Sequence, residues 1–534
     1  MDTTSDAARV SARLTIAVGF GVALITFLFF LPTLEFGFLN WDDDVNVFEN
    51  SHVQGLTSGN LAWMFTDFGH AIRYKPLSWL GWAVVHSCFG LNPFGYHLAN
   101  VLLHCANAIL VFHLLRELIA AAGRYGRESV WICGLGALSW SLHPLRVEPV
   151  AWVTGMPYGQ ALAFVLLSTL FYLRAQRDES PIRSVCYWMS VISFVLAVLT
   201  YPIVLGFPAM LLAMDHFPLR RFAVFDDRAR NALVQKIPYA LVSAAVVGFT
   251  VYGRYRFTDY WIKPAGLEEF GVIARLMQAG YVWAYYAWKP FLPTDLSPVY
   301  TMLIWNHPFD LEFILSAIAV TGVSGFLIWK WRQWPVLAAL WFAHLGLLVP
   351  MLGLTERPHY PHDRYGIVNG LIWSMALVAF AIRHPSRKSF AVGAVLVVAL
   401  GCASRVQEQH WRDDVTFFSH MADSVEPCEY RNLALLNLGE ALTVRGRYDD
   451  AIECFVEAAD RDVPWVFPFD FPRLGIGHAR ALIGAERWPD ALAKLRETEN
   501  LLRPMEGTPG GDARLKAIRE AITEVSVRAA APGL

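Results

Sequence analysis

The run Leu14-Thr15-Ile16-Ala17-Val18-Gly19-Phe20-Gly21-Val22-Ala23-Leu24-Ile25-Thr26-Phe27-Leu28-Phe29-Phe30-Leu31-Pro32 carries no charged side chain, and Arg9 and Arg13 stand just ahead of it. Crossing the hydrocarbon core takes about 17–25 mostly apolar residues, so this run reads as a membrane-spanning helix. The arginines in front of it mark its cytoplasmic end. No small-x-small cleavage pattern follows before Phe36, so the segment reads as a retained signal-anchor and not a removed signal peptide.

The whole chain supports the same class. Its 534 residues are 55% hydrophobic and 17% charged, whereas soluble domains hold about 25% charged residues. Twenty Trp, 35 Phe and 19 Tyr fit aromatic belts at two membrane interfaces. A net charge of −2 gives no nucleic-acid footprint. The seven cysteines show no CxxC or His/Cys spacing and read as packing residues, with Cys428 and Cys454 the one pair that could bridge.

Further apolar stretches fall at Tyr96–Leu118, Val130–Leu142, Val150–Leu173, Ser184–Thr200, Pro202–Asp215 and Ile237–Gly253, then at Leu311–Trp329, Trp334–Leu352, Tyr365–Ile382 and Ser389–Ser404. Every second connection between them is short and basic. Examples are Arg116 with Arg124 and Arg127, Arg174 with Arg177 and Arg183, and Arg220, Arg221, Arg228, Arg230 and Lys236. Lys330 with Arg332, and Arg383 with Arg387 and Lys388, continue the alternation. These connections read as cytoplasmic. The apolar segment Leu276–Phe291 would break the alternation if it crossed, so it reads as an interfacial or re-entrant helix. The expected result is an all-α bundle of about eleven spans over residues 1–405, N-terminus inside and C-terminus outside. Its outer face carries loops 33–95 and 254–310, the turn 143–149 and the segment 353–364. Within the first of these, Leu61–Phe89 is expected to form amphipathic helices on the outer leaflet.

Residues 406–534 differ in kind. Asn437, Leu438, Gly439, Ala441, Leu442, Gly446, Tyr448, Ala451, Phe455 and Ala458 fall at the offsets of a tetratricopeptide repeat, and Ala479, Leu482, Trp488, Ala491 and Leu495 form a second copy. Trp411, Phe418 and Pro427 mark a half-unit before them. A short α-solenoid on the outer side is expected, either binding an extended segment or partner protein or serving only as a structural cap.

Where the chain leaves the first span it reads Leu39-Asn40-Trp41-Asp42-Asp43-Asp44. Three adjacent carboxylates repel one another, which raises a pKa unless a cation is near. Such a group suits general-base work or a divalent metal held at Asp42 and Asp43. A solvated loop end is the plain alternative. His97 and His104, seven apart on one helical face, read as core packing.

Several stretches resemble a known family. Asn40-Trp41-Asp42-Asp43, Tyr74-Lys75-Pro76-Leu77-Ser78-Trp79-Leu80, Gly90-Leu91-Asn92-Pro93-Phe94-Gly95-Tyr96-His97-Leu98, His143-Pro144-Leu145-Arg146-Val147-Glu148-Pro149, Asp215-His216-Phe217-Pro218 and Asp363-Arg364-Tyr365 occur in this order. Together they resemble bacterial membrane proteins with tetratricopeptide tails. They also resemble the eukaryotic transmembrane and tetratricopeptide-repeat O-mannosyltransferases, of the GT-C class.

The resemblance implies a glycosyltransferase of the bacterial inner membrane. It would move a sugar, mannose among the candidates, from a polyprenyl-phosphate donor to a protein or glycan hydroxyl on the extracytoplasmic face, with inversion. An inverting transfer needs a base near the acceptor hydroxyl and cationic groups around the leaving phosphate. Asp42 or Asp43 is the expected base, with Asp42 favoured. Arg364, Arg146 and Lys289 are the expected phosphate contacts, and Asp44, His143, Glu148 and Asp363 the supporting residues.

The family usually places a basic-acidic pair after Val153-Thr154, where this chain reads Gly155-Met156-Pro157-Tyr158-Gly159-Gln160. A family lysine before Pro202 is Tyr201 here. Both departures remove charge from the outer face. They keep open a second reading, a catalytically inactive membrane scaffold that organises an envelope complex through its repeats.

Overall fold

The computed structural model describes residues 3–70, 74–124, 126–224, 226–256, 266–268, 270–301, 307, 309–354, 361–459 and 470–530. Parts of the expected outer segments 33–95, 254–310 and 353–364 therefore lie outside the described residues. Among the described residues the chain is helical and contains no strand. It divides into two compact units, residues 1–296 with 302–411 and residues 297–301 with 412–534.

Among the described residues of the first unit, seven helical segments are long and apolar enough to cross a membrane. They are Ala12–Glu35, Pro93–Ala121, Val153–Ala175, Asp227–Gly253, Leu311–Trp329, Asp363–Ala381 and Arg387–Trp411. This is an integral membrane protein. Three of the other expected spans are shorter apolar segments, Val185–Thr200, Pro202–His216 and Pro335–Met351. A fourth lies in the helix Arg127–Ser141, of 15 residues. At 1.5 Å per residue such a helix is about 22 Å long, against a core of about 30 Å. Length and composition thus carry seven of the expected crossings. The apolar segment around residue 276 forms the helix Val272–Trp288.

The helix Pro93–Ala121 organises the unit. Asn92 caps it by accepting from the Phe94 N–H, and Pro93 opens its first turn. His97, Asn100, His104 and Asn107 recur at helical spacing on one buried face. Each engages a backbone carbonyl elsewhere: Gly37 at 3.2 Å, Trp152 at 2.8 Å, Ser141 at 2.9 Å and Gly159 at 2.9 Å. Buried backbone carbonyls need hydrogen-bond partners, and this polar stripe supplies them for four carbonyls. His97 and His104 are accordingly core residues.

Elsewhere small residues allow backbones to close up. A Cβ on Gly206 would overlap the Gly346 carbonyl and sit 2.8 Å from Leu347 Cα.

The motif Asp215-His216-Phe217-Pro218 is absorbed by packing together with the basic residues Arg221 and Lys236. Buried Asp215 accepts from Tyr172 Oη at 2.8 Å, Arg221 Nη1 at 3.2 Å and Lys236 Nζ at 2.5 Å. Two of the basic residues counted toward the cytoplasmic face are thus spent on a buried carboxylate. All seven cysteines are free thiols.

The second unit is a series of helical hairpins. Glu429–Val444 packs on Tyr448–Ala458, and Asp470–Gly484 on Trp488–Leu502. Glycines admit the large side chains between them: a Cβ on Gly439 would lie 2.8 Å from the Phe455 ring, and one on Gly477 2.9 Å from it. The last helix, Pro509–Ala530, adds Leu515 and Ile518 against Leu502.

Candidate active site

The three adjacent carboxylates have different surroundings. Asp43 is fully buried and serves as a peg. Its Oδ2 accepts from the Leu39 N–H at 3.0 Å, and its Oδ1 accepts from the Thr154 N–H at 2.9 Å and hydroxyl at 2.6 Å. Burial pushes its carboxyl up to about 7, against these three hydrogen bonds, which favour the anion. Asp42 is exposed. Its φ of 68° lies in the left-handed region, which non-glycine residues adopt at a cost and which Asp tolerates better than most. Asp44 opens a π-type turn through Phe48 and has one buried oxygen, Oδ1, without a hydrogen-bond partner among the described residues.

Expected as one of a catalytic pair, Asp43 has both oxygens occupied by N–H and O–H donors. That geometry does not fit a metal shared by Asp42 and Asp43. Nor do three His, Cys, Asp or Glu side chains gather around a metal-sized site among the described residues.

The turn 143–148 and the turn 363–365 are laced together. Glu148, buried, accepts the Arg364 backbone N–H at 2.7 Å and also pairs with the Arg364 guanidinium through Nη1. Arg364 Nε donates to Tyr158 Oη at 3.0 Å. The guanidinium lies 5.4 Å from the Trp152 ring and 5.3 Å from that of Tyr365. Among the described residues Arg364 Nη2 has no hydrogen-bond partner, and the side chain keeps 11% of its exposure.

The other two expected cations are more deeply committed. Arg146 is buried against Gly366 and Gly370, with its ring neighbour Trp140 at 5.7 Å. Burial draws it down to about 9, and the buried carboxylate of Asp363 opposes this. Lys289 is buried, donates to the Thr294 carbonyl at 2.8 Å and lies over Trp288. His143 accepts the Leu145 N–H at Nδ1 and faces the Pro290 carbonyl at 2.9 Å through Nε2. Burial holds it neutral, down to about 3.

Trp152 joins the acidic loop to this lacing. Its Nε1 donates to the Trp41 carbonyl at 2.8 Å, and its ring covers Arg364. The two departures from the family pattern also meet: Tyr158 and Tyr201 bring their hydroxyls to 3.2 Å and their ring centroids to 4.7 Å. Thr154, Trp152 and Tyr158 were not singled out from sequence as site residues. The signal available was their place within the stretch following the turn 143–149.

The chain is similar to protein O-mannosyl-transferases. It is 35% identical to protein O-mannosyl-transferase Tmtc2 of Drosophila melanogaster over 162 residues, 29% of this chain and 16% of that protein. It is 23% identical to protein O-mannosyl-transferase TMTC4 of Mus musculus over 507 residues, 81% of this chain and 65% of that protein. The human TMTC4 protein is 24% identical over 347 residues, 58% of this chain and 44% of that protein. The chain spans less than two thirds of the length of each of these relatives. They are animal proteins, so the likeness read from the motifs is supported on its eukaryotic side. No protein-family model matches the chain, and no solved structure matches it significantly.

Proposed function

We propose that the protein is an inverting membrane glycosyltransferase moving a sugar from a polyprenyl-phosphate donor to a hydroxyl of a protein or glycan acceptor. Mannose is the favoured sugar and a protein the favoured acceptor, because the relatives are named protein O-mannosyl-transferases. The single observation that carries the reading is Trp152. It ties the carbonyl beside Asp42 to the face of Arg364, so an exposed carboxylate and an oriented guanidinium share one neighbourhood.

In this reading Asp42 takes the proton of the acceptor hydroxyl as its oxygen bonds to the anomeric carbon. The bond from that carbon to the phosphate oxygen breaks, and the lipid phosphate leaves as the anion. Glu148 and Tyr158 hold Arg364 so that Nη2 meets this developing charge. Arg146 and Lys289 add positive potential from within the protein. Asp43 anchors the loop, and Asp44, His143 and Asp363 shape it.

The topology belongs to the same proposal: about eleven spans, N-terminus cytoplasmic, with the site and the hairpin unit extracytoplasmic in a bacterial inner membrane. Residues 406–534 act as a tetratricopeptide module that presents an acceptor or a partner protein.

A second reading, the inactive scaffold, draws on Arg364 being already paired with Glu148 and bonded to Tyr158, which in turn meets Tyr201 where the family carries a lysine. Donor hydrolysis and transfer by purified protein, compared with Asp42→Asn and Asp43→Asn, separates them. Transfer lost in Asp42→Asn supports the enzyme. Equal activity in all three sinks Asp42 as base, and no activity in any of them favours the scaffold.

A further inference from the structure

We infer that Lys75, acting through Asn46, is a positioning residue for Asp42; the inference rests on the reading of Asp42 as the base. Asp42 holds a left-handed backbone that a non-glycine residue keeps only when its surroundings impose it. What imposes it is visible on its carbonyl, which accepts two hydrogen bonds from the same residue: the Asn46 N–H at 3.0 Å and the Asn46 Nδ2 at 2.8 Å. An amide side chain rotates easily unless its other end is also held. Here the Asn46 Oδ1 accepts from Lys75 Nζ at 2.6 Å.

Both partners are buried, Asn46 at 3% exposure and Lys75 at 4%. A buried ammonium costs heavily unless it is partnered, so this lysine is not a surface residue kept for solubility. It precedes Pro76 at the start of the helix Pro76–Phe89, and its ammonium lies 4.9 Å from the Trp82 ring of that helix. The rigid helix therefore fixes Lys75, Lys75 fixes Asn46, and Asn46 fixes the carbonyl of Asp42. From the opposite side Thr154 fixes Asp43. Exposed Asp42 thus has one clamp on its own carbonyl and a second on the residue that follows it.

The test uses the full-length protein in nanodiscs, with Lys75→Met and Asn46→Asp as variants. Asn46→Asp leaves Lys75 an anionic partner and replaces the Nδ2 donor with an acceptor that repels the Asp42 carbonyl, so it guards against a Lys75 variant that does not fold. Hydrogen–deuterium exchange over residues 39–50 is expected to quicken about tenfold in both. With a short-chain polyprenyl-phosphate mannose as donor, kcat is expected to fall about 10²-fold while KM changes little, since misplacement of about 1 Å has that effect.

In an Asp42→Asn background, Lys75→Met is expected to cause no further loss, because both act on one group. Unchanged exchange over 39–50 in the folded variants, or losses that add in the double variant, would overturn the positioning role while leaving Asp42 as base. Wild-type turnover in Asp42→Asn alone would instead overturn the base, and this inference with it.

Discussion

Asp43 and Thr154 form the joint on which the candidate site turns: one carboxylate oxygen accepts both the backbone N–H and the hydroxyl of Thr154, at 2.9 Å and 2.6 Å. The joint binds the loop after the first span to the start of the segment Val153–Ala175. Neighbouring Asp42 is exposed.

A pH dependence of stability follows. An unfolded Asp loses its proton near about 4, whereas buried Asp43 keeps it until about 7. Between those values the unfolded state binds fewer protons, so stability falls as pH rises through the window and levels off above it. Thermal unfolding across that range should show this fall in wild type and a flatter profile in Asp43→Asn. Identical slopes in the two proteins would count against a raised Asp43.

Asp42→Gly should separate stability from activity. Glycine relieves the left-handed backbone, a gain of about 1 kcal/mol, and removes the proposed base, a loss of about 10²-fold or more in kcat. A higher melting temperature with abolished transfer is the expected pair. Retained transfer would rule out a catalytic Asp42.

Glu148→Gln leaves Arg364 buried beside a neutral partner. Breaking one half of a buried pair costs about 3–5 kcal/mol. The double change Glu148→Gln with Arg364→Met should recover much of that loss in unfolding measurements while remaining inactive. A double variant no more stable than Glu148→Gln would show that the pair does not act as a unit.

Tyr158→Phe removes the acceptor for Arg364 Nε. A hydrogen bond to a charged group contributes about 1.5–3 kcal/mol, and loss of orientation should appear as a raised KM for the lipid donor. Tyr201→Phe, one bond further away, should have the smaller effect. The reverse ranking would argue that Tyr201 itself meets the donor.

Gly370→Ala should act at a distance through Arg146. A Cβ at residue 370 would overlap the Arg146 guanidinium, and overpacking of this kind costs about 1–3 kcal/mol. Gly366→Ala, whose Cβ would lie 3.6 Å from Arg146 Nη1, should be milder in the same thermal assay.

Membrane class was legible because hydropathy and charge are properties of local sequence that add along a segment. The run Leu14–Pro32 and the helix Leu311–Trp329 needed no partner to be recognised. The short segments were not legible in this way, because Arg127–Ser141 has 15 residues and length alone cannot say that it crosses. The hairpins of the second unit were visible as small and large residues at repeat offsets, since Gly439 and Phe455 come from one local pattern and meet in space.

By itself the sequence determined that three carboxylates follow the first span, and that two turns rich in charge lie at matching positions before later spans. Only the tertiary structure decided what each carboxylate does. Asp43 is buried by Thr154, 111 residues away, Asp42 is left exposed on a left-handed turn, and Lys75 stands behind it through Asn46. Burial and hydrogen-bond donors set the protonation and direction of a carboxylate, and both are supplied by residues that no local pattern brings near. The same holds for Arg364, whose charge was plain in the sequence but whose partners, Glu148 and Tyr158, lie more than 200 residues earlier.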